Sequence, residues 1–305
     1  MHSILLRDWF SASYKKTEKS ELISMLKLPS KDFVKMKHGR NGYRQGIHFN
    51  GISIYFDGTP EMGICLDMSG TGCRAFETFG AGDWQHLHKY TKEHGNLTRL
   101  DIAHDNYIGL LPLDRMLKDV RQGNLISKFR SGKVDEGLLD SRGVTINFGS
   151  PQSEIKFRIY DKAAERNKDG YWVRFEMQLR RERAQAMSEL IMTNPENISQ
   201  AFLGVVHQYL RFIVPNPTET NISRLKTAPY WKRFIADVEK IRLFTSPGFE
   251  YNKDHLHSFV YNQAAGAAMT AMLIDGEEQF IQNLLKAGDN LNPKYQSLLD
   301  LHGTA

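Results

Sequence analysis

Apolar and polar residues alternate along short stretches of the first half of the chain, and Gly, Pro or Asp bounds most of them. A period of two is typical of strands with one buried face. The alternation predicts strands at 3–9, 51–56, 63–68, 98–105 and 171–179, and a hairpin formed by 143–149 and 154–160. Helical spacing with cap residues predicts helices at 83–94 and 112–121.

The pattern changes after Arg180, where apolar residues recur three and four positions apart over longer stretches. This spacing predicts helices at 181–191, 195–212, 228–244 and 261–287. Pro215 and Pro217 stop the preceding helix and mark a linker. We therefore expect an α+β domain over 1–213 and a mostly helical region over 214–305.

Three of the predicted strands carry charged or other polar residues along one face. Period two groups Arg99, Asp101 and Asp105 in the first strand, Arg158, Tyr160 and Lys162 in the second, and Arg174, Glu176 and Gln178 in the third. If these strands are neighbours in an antiparallel sheet, carboxylates, arginines and one tyrosine form a single polar surface.

Two interpretations of that surface stay open. Cross-strand ion pairs on an ordinary half-solvated sheet explain the alternation, although Asp101 is a poor strand former in the middle of a strand. Carboxylates beside arginines also suit a divalent metal facing a phosphate. A tyrosine there would attack phosphorus, and Arg158 and Lys162 would favour its phenolate.

Charge and composition narrow the class of partner. The 305 residues carry a net charge of +5, and the stretch 156–184 holds nine basic against five acidic residues. Such a cluster is either a solvated face or a binding surface for a polyanion. Two cysteines exclude a disulfide framework. Because Arg7 and Asp8 follow only three apolar residues and no long apolar run occurs, we expect a cytoplasmic protein with no signal peptide and no membrane partner.

Several motifs, in this order, resemble the rolling-circle replication initiation factors, and most closely the phage-associated, RstA-like branch of that family. They are RLDIAHD from Arg99, GVTINFGS from Gly143, FRIYDKAAE from Phe157 and WVRFE from Trp172, with SGTGCRAFE from Ser69 upstream and YWKRF from Tyr230 downstream. The SGTG run by itself predicts a hairpin turn.

The resemblance implies a diverged HUH-endonuclease-like fold, an antiparallel sheet with flanking helices and the site on one sheet face. It implies that Tyr160 is the nucleophile and that Asp101 and Glu176 bind metal, with Asp105, Asp161 and Glu165 as alternatives for a third ligand. The paired histidines of typical HUH enzymes are not apparent. His86 and His88 come closest, and we expect both on the surface of a helix.

The sequence thus predicts a site-specific nickase that initiates rolling-circle replication of a phage or plasmid, dependent on Mg²⁺ or Mn²⁺. Its substrate would be origin DNA, single-stranded or an extruded hairpin, and a host helicase and polymerase would act after the nick. We expect Arg99, Arg174, Arg180, Arg181 and Arg183 to bind DNA phosphates. A homodimer, a relaxase of a mobile element and a non-catalytic DNA-binding replication or regulatory protein stay open as alternatives.

Overall fold

The structure is a computed structural model that describes residues 3–136, 143–194, 198–236, 243, 256–257, 260–261, 264–288 and 299. Its strands are β1 Ser3–Tyr14, β2 Val34–Lys35, β3 Gln45–Phe49, β4 Ile52–Phe56, β5 Ile64–Met68, β6 Asn96–Asn106, β7 Leu125–Ser127, β8 Gly132–Glu136, β9 Val144–Phe148, β10 Ile155–Asp161, β11 Val173–Arg180 and β12 Leu210–Phe212. Its helices are α1 Lys19–Met25, α2 Gly70–Phe79, α3 Trp84–His94, α4 Leu113–Arg121, α5 Lys162–Glu165, α6 Glu182–Thr193, α7 Ile198–Tyr209, α8 Pro229–Ile235, α9 Ala265–Asp275 and α10 Glu277–Gly288.

Ten of the described strands form one antiparallel sheet, in the order β2-β3-β4-β5-β1-β6-β11-β10-β9-β8. The long strand β1 lies between β5 and β6 and so joins the two halves of the sheet. The predicted hairpin of β9 and β10 is confirmed, with Ile146 opposite Ile159. The remaining two described strands, β7 and β12, pair separately.

The apolar face of the sheet is covered by helices. Phe10 of β1 lies 6.0 Å from Trp84 of α3, and Phe175 of β11 lies 5.6 Å from Phe202 of α7, measured between ring centroids. These rings belong to one buried cluster that continues from sheet to helices. Because period two directs alternate side chains to this cluster, the intervening polar side chains face the other side of the sheet. The α+β fold predicted from the sequence is confirmed.

Several predicted elements differ in the structure. Ser69 begins helix α2 rather than a hairpin turn, since its side chain accepts from the amide of Gly72 and caps the helix. The predicted helix 195–212 ends at Tyr209, because the last residues pair with β7 as a strand. The predicted helix 261–287 is interrupted at Gly276, whose φ of +83° ends α9. Part of the predicted helix 228–244 lies outside the described residues.

Contacts divide the chain into two units, Met1–Phe244 and Thr245–Ala305. Trp231 of α8 is fully buried in the first unit, with its ring 4.9 Å from that of Phe212. The boundary predicted between residues 213 and 214 therefore lies within that unit, and the separate roles assigned to 1–213 and 214–305 stay a prediction. No helix among the described residues is long and apolar enough to cross a membrane.

Candidate active site

The three polar strands of the sequence analysis are neighbours. Asp105 of β6, Arg174 of β11 and Tyr160 of β10 lie side by side across the sheet. One pleat further along β11, Glu176 lies opposite Arg158. Because all these positions share one face by period two, the sheet brings carboxylates, cations and the tyrosine together.

The Tyr160 hydroxyl contacts one acidic and one basic side chain. It donates to Glu176 Oε2 at 3.3 Å and accepts from Lys162 Nζ at 3.5 Å. Burial raises the pKa of the Tyr160 phenol above its ordinary value, and the charge of Glu176 raises it further. The phenol is therefore protonated at rest, and the carboxylate that accepts its hydrogen bond can take the proton.

Glu176 and Lys162 are themselves paired and buried. Glu176 Oε1 accepts from Arg158 Nη2 at 2.5 Å, and Glu176 is only 2% exposed. Lys162 is 5% exposed and forms an ion pair with Glu165. Tyr160, the candidate nucleophile, therefore lies among side chains of alternating charge, which are Arg158, Glu176, Lys162 and Glu165.

Asp101 lies deeper on the same face, at 1% exposure. Arg99 Nη2 contacts its Oδ2 at 2.6 Å. Burial raises the pKa of Asp101 to about 6, against the opposing effect of Arg99, and the negative charge of Glu176 adds to the rise. A buried acid whose pKa is shifted by burial and by a specific charged neighbour is common at functional sites.

Arg174 joins two carboxylates. It donates Nε to Asp105 Oδ1 at 2.6 Å and Nη2 to Oδ2 at 2.8 Å, while Nη1 reaches Asp8 Oδ2 at 2.8 Å. Asp8 is a residue that the sequence analysis missed. It lies where β1 changes register against β6, between Arg7 and Trp9. The signal for such a bulge in the sequence was the pair of successive charged residues, Arg7 and Asp8, within an apolar strand.

These residues line one open groove of about 860 Å³. It brings together the predicted residues Arg99, Asp101, Asp105, Arg158, Tyr160, Lys162, Arg174 and Glu176, and adds residues not singled out before, among them Asp8, Trp9, Tyr107, Lys168 and Trp172. The groove does not include Arg180, Arg181 or Arg183. Arg180 donates to the Pro151 carbonyl and Arg183 to the Leu243 carbonyl.

Comparison with known proteins supplies the family. The family model of the replication initiation factors matches residues 95–287, and that of the N-terminal domain of rolling circle replication initiation proteins matches residues 5–90. The chain belongs to the replication initiation factor family. The resemblance noted in the sequence is therefore confirmed.

Two relatives of this replication initiation factor span most of the chain. This chain is 26% identical over 318 residues to the "Putative DNA relaxase NicK" of Bacillus subtilis (strain 168). The alignment covers 97% of this chain and 88% of the relative. The solved structure of a rolling circle replication initiator protein from Geobacillus stearothermophilus matches with a TM-score of 0.73 at 28% identity. It covers 80% of this chain and 100% of that one.

The two histidines of helix α3 that the sequence analysis considered, His86 and His88, do not line the groove of this replication initiation factor. His86 is exposed, as expected, but the expectation of a surface position for His88 is wrong. His88 is 1% exposed, its Nδ1 lies 2.7 Å from Ser188 Oγ, and its Nε2 accepts from Arg7. Helix α3 turns this residue toward the sheet, a placement that spacing along the sequence did not reveal.

The carboxylates in and beside the groove are the candidate ligands for a divalent metal. Within the described ranges, no group of three or more His, Cys, Asp or Glu side chains is arranged to hold one. Asp105 gives both oxygens to Arg174, Asp161 caps α5 and Glu165 pairs with Lys162. Asp101 likewise gives both oxygens to Arg99, and Glu176 accepts from Arg158 at one oxygen and from Tyr160 at the other. One or two carboxylates with phosphate oxygens are nevertheless the usual protein ligands of Mg²⁺. The chemistry of these two acids fits a hard cation.

Proposed function

We propose that this protein nicks one strand of origin DNA and starts rolling-circle replication, with Tyr160 as the nucleophile. The observation that carries the proposal is the Tyr160 hydroxyl, which donates to Glu176 within a groove lined by arginines and lysines. Membership in the replication initiation factor family and the solved rolling circle initiator support the same reaction.

In the proposed reaction, Tyr160 Oη forms a bond to the scissile phosphorus as its proton passes to Glu176 Oε2. The bond from phosphorus to the 3′ oxygen breaks, and that oxygen takes up a proton from solvent. The products are a 5′-phosphotyrosine and a free 3′ hydroxyl for a polymerase. Arg158 and Lys162 flank the hydroxyl and would stabilise charge that develops on the phosphate oxygens.

The cofactor in this proposal is Mg²⁺ or Mn²⁺, which Asp101 would hold together with the Glu176 oxygen that does not take the Tyr160 proton. A bound divalent ion supplies Lewis-acid stabilisation of the phosphate charge. Arg174 holds both oxygens of Asp105 in the same way that Arg99 holds both oxygens of Asp101. The predicted role of Asp105 as a third ligand is untested, and in this proposal Asp105 orients Arg174 toward the DNA.

The decisive experiment uses a labelled single-stranded oligonucleotide that contains the origin, with and without EDTA. Tyr160→Phe keeps the ring and should bind the DNA but form no covalent adduct on a denaturing gel. The matched control is Tyr171→Phe, whose hydroxyl contacts only the Leu111 carbonyl outside the groove. An undiminished adduct in Tyr160→Phe would place the nucleophile elsewhere, and full activity in EDTA would remove the metal from the proposal.

A second candidate function is that of a relaxase, which the similarity to NicK favours. The chemistry at Tyr160 would be the same, and only the DNA differs. Cleavage of a transfer origin in preference to a replication origin would favour the relaxase. A protein that binds both and cleaves neither would be the non-catalytic alternative. Assistance by a host helicase and polymerase, and a homodimer, stay predictions.

A further inference from the structure

Two aromatic side chains lie at one end of the groove. Val173 of β11 pairs with Asn106 of β6, so the same register places Trp172 opposite Tyr107, just past the ends of both strands. Their ring centroids are 5.5 Å apart and their planes differ by 32°. Both residues are half-buried and both line the groove that contains Tyr160.

Trp172 is held at a fixed distance from the nucleophile. Its carbonyl accepts from the amides of Lys162 and Ala163 at 2.8 and 3.2 Å, directly after the strand that carries Tyr160. Tyr160 lies opposite Arg174, two residues from Trp172 along β11. Two residues of a strand span about 7 Å. That is comparable to the separation of neighbouring nucleotides in an extended single strand.

The polar end of Trp172 contributes nothing to the fold. Among the described residues, its indole Nε1 is buried without a hydrogen-bond partner, as is that of Trp231 in the core, whereas the indoles of Trp9 and Trp84 donate to Asp67 and Glu77. A buried N–H without a partner costs stability, so packing alone would favour phenylalanine at this position. Trp172 differs from Trp231 because its ring is half-exposed and lines the groove, where a ligand can reach it.

Cations surround the same ring. Lys168 Nζ lies 5.8 Å and the Arg174 guanidinium 6.0 Å from the Trp172 ring centroid, and Arg166 lines the same end of the groove. Aromatic faces beside positive charge are how proteins bind single-stranded nucleic acid irrespective of sequence. The charge excludes an apolar ligand, and the flat rings suit a nucleobase rather than a phosphate alone.

We propose that Tyr107 and Trp172 form a stacking platform for the base of a nucleotide next to the scissile phosphate, with Lys168 at its backbone phosphate. The proposal rests on the nicking function at Tyr160 and adds the means by which the strand is held in line for attack. The platform reads the presence of a base and not its identity, since every base has a flat face.

The test compares two probes, a 12-mer of thymidine and a 12-mer of abasic spacers with the same phosphates, by fluorescence anisotropy without divalent metal. Wild type should prefer the thymidine probe. Trp172→Leu should lose about 5- to 100-fold in affinity for it, the range expected for one stacked base, and little for the abasic probe. Trp172→Phe, which keeps a ring and removes the unpaired N–H, should retain most of the preference.

The control variant is Phe79→Leu, which removes an aromatic ring that is 56% exposed on α2 and lies outside the groove. It should bind both probes as wild type does. An unchanged thymidine preference in Trp172→Leu would overturn the platform. So would equal binding of the two probes by a wild-type protein that nicks its origin, and this result would leave the proposed function intact. A wild type that neither nicks nor binds either probe would overturn both.

Discussion

Asp101 shows how one residue can oppose folding and still be kept at a site. Its carboxyl has a pKa of about 6 in the folded protein, above the ordinary value of 3.8, because burial outweighs the Arg99 contact. Ionisation of this group therefore costs folding free energy, and the cost develops as pH rises from about 4 to 6. A carboxylate in that position can bind a divalent cation or stabilise positive charge that develops nearby.

We expect Asp101→Asn to raise the free energy of unfolding at pH 7.5 by about 1–3 kcal/mol, since a pKa shift of one unit corresponds to about 1.4 kcal/mol. At pH 4 the gain should be much smaller, because the wild-type carboxyl is then neutral in the folded protein and only partly ionised in the unfolded chain. Urea unfolding at both pH values, without divalent metal, measures this change in the free energy of unfolding. The variant should not nick DNA.

The control for this prediction is Asp57→Asn. Hydrogen bonds from Gln45 and Arg44 lower the pKa of Asp57, so the sign reverses and the substitution should not stabilise the protein. If Asp101→Asn were less stable than wild type at pH 7.5, the Arg99 ion pair would outweigh the cost of burial.

At the scale of elements, His88 joins a strand and two helices. It lies on α3, contacts Ser188 of α6 and accepts from Arg7 of β1. Burial and the charge of Arg7 lower the pKa of His88 to about 3. The neutral imidazole is therefore a structural part of the junction.

The unfolded chain binds a proton at His88 below pH 6.5, whereas the folded protein does not until about pH 3. Stability from this residue is complete above pH 6.5 and falls by about 1.4 kcal/mol for each pH unit below it. We expect His88→Gln to flatten the pH dependence of the urea midpoint between pH 4 and 6.5. His86→Gln, an exposed change on the same helix, should leave it as in wild type. Parallel profiles for His88→Gln and wild type would contradict the assignment.

Helix α2 meets the turn between β3 and β4 at two glycines. A Cβ on Gly72 would lie 2.2 Å from the Gly51 carbonyl oxygen, a backbone atom that cannot turn aside. This close approach, and not a hairpin, is the reason for the SGTG sequence.

We expect Gly72→Ala to destabilise the protein by about 1–3 kcal/mol through overpacking. Gly266→Ala is the matched change, also in the first turn of a helix but with no atom within 4 Å, and it should be neutral or stabilising. Thermal melts followed by circular dichroism measure both. A neutral Gly72→Ala would mean that α2 can move away from the turn.

At the scale of the whole molecule, two groups of cations stand out among the described residues. One group lines the groove around Tyr160, and the other follows the far end of β11 at Arg180, Arg181 and Arg183. Only Arg181 of the second group is largely exposed, with a side chain at 76% and an acid 3.8 Å away. Arg183 donates to the Leu243 carbonyl and so also supports the fold.

We expect Arg181→Ala to weaken binding about equally for origin and scrambled single-stranded DNA and to reduce the salt slope by about 0.7, the value for one phosphate contact. Arg183→Ala should lower the melting temperature in addition. Affinity measured from 50 to 300 mM salt tests this. A loss confined to origin DNA would show that Arg181 reads bases.

Local patterns determined much of this protein. Period two assigned Arg99, Asp101, Tyr160 and Glu176 to polar faces, because the direction of a side chain in a strand depends only on its position. Helix α3 was predicted over 83–94, and it follows Asp83, whose side chain accepts from the His86 amide and caps the helix. The order of the motifs gave the family, and the stretches 98–105 and 154–160 became β6 and β10 with small shifts at their ends.

Only the tertiary structure decided which side chains meet. Strand β1 lies beside β6, far away in sequence, and its bulge adds Asp8 to Arg174. The pairing of β6 with β11 sets Tyr107 beside Trp172 and gives Asp105 to an arginine rather than leaving it free for a metal. Partners and burial depend on strand order and on what covers each face. These are long-range properties that a local pattern of residues does not contain. For that reason the polar face could be predicted from the sequence, whereas the contacts within it could not.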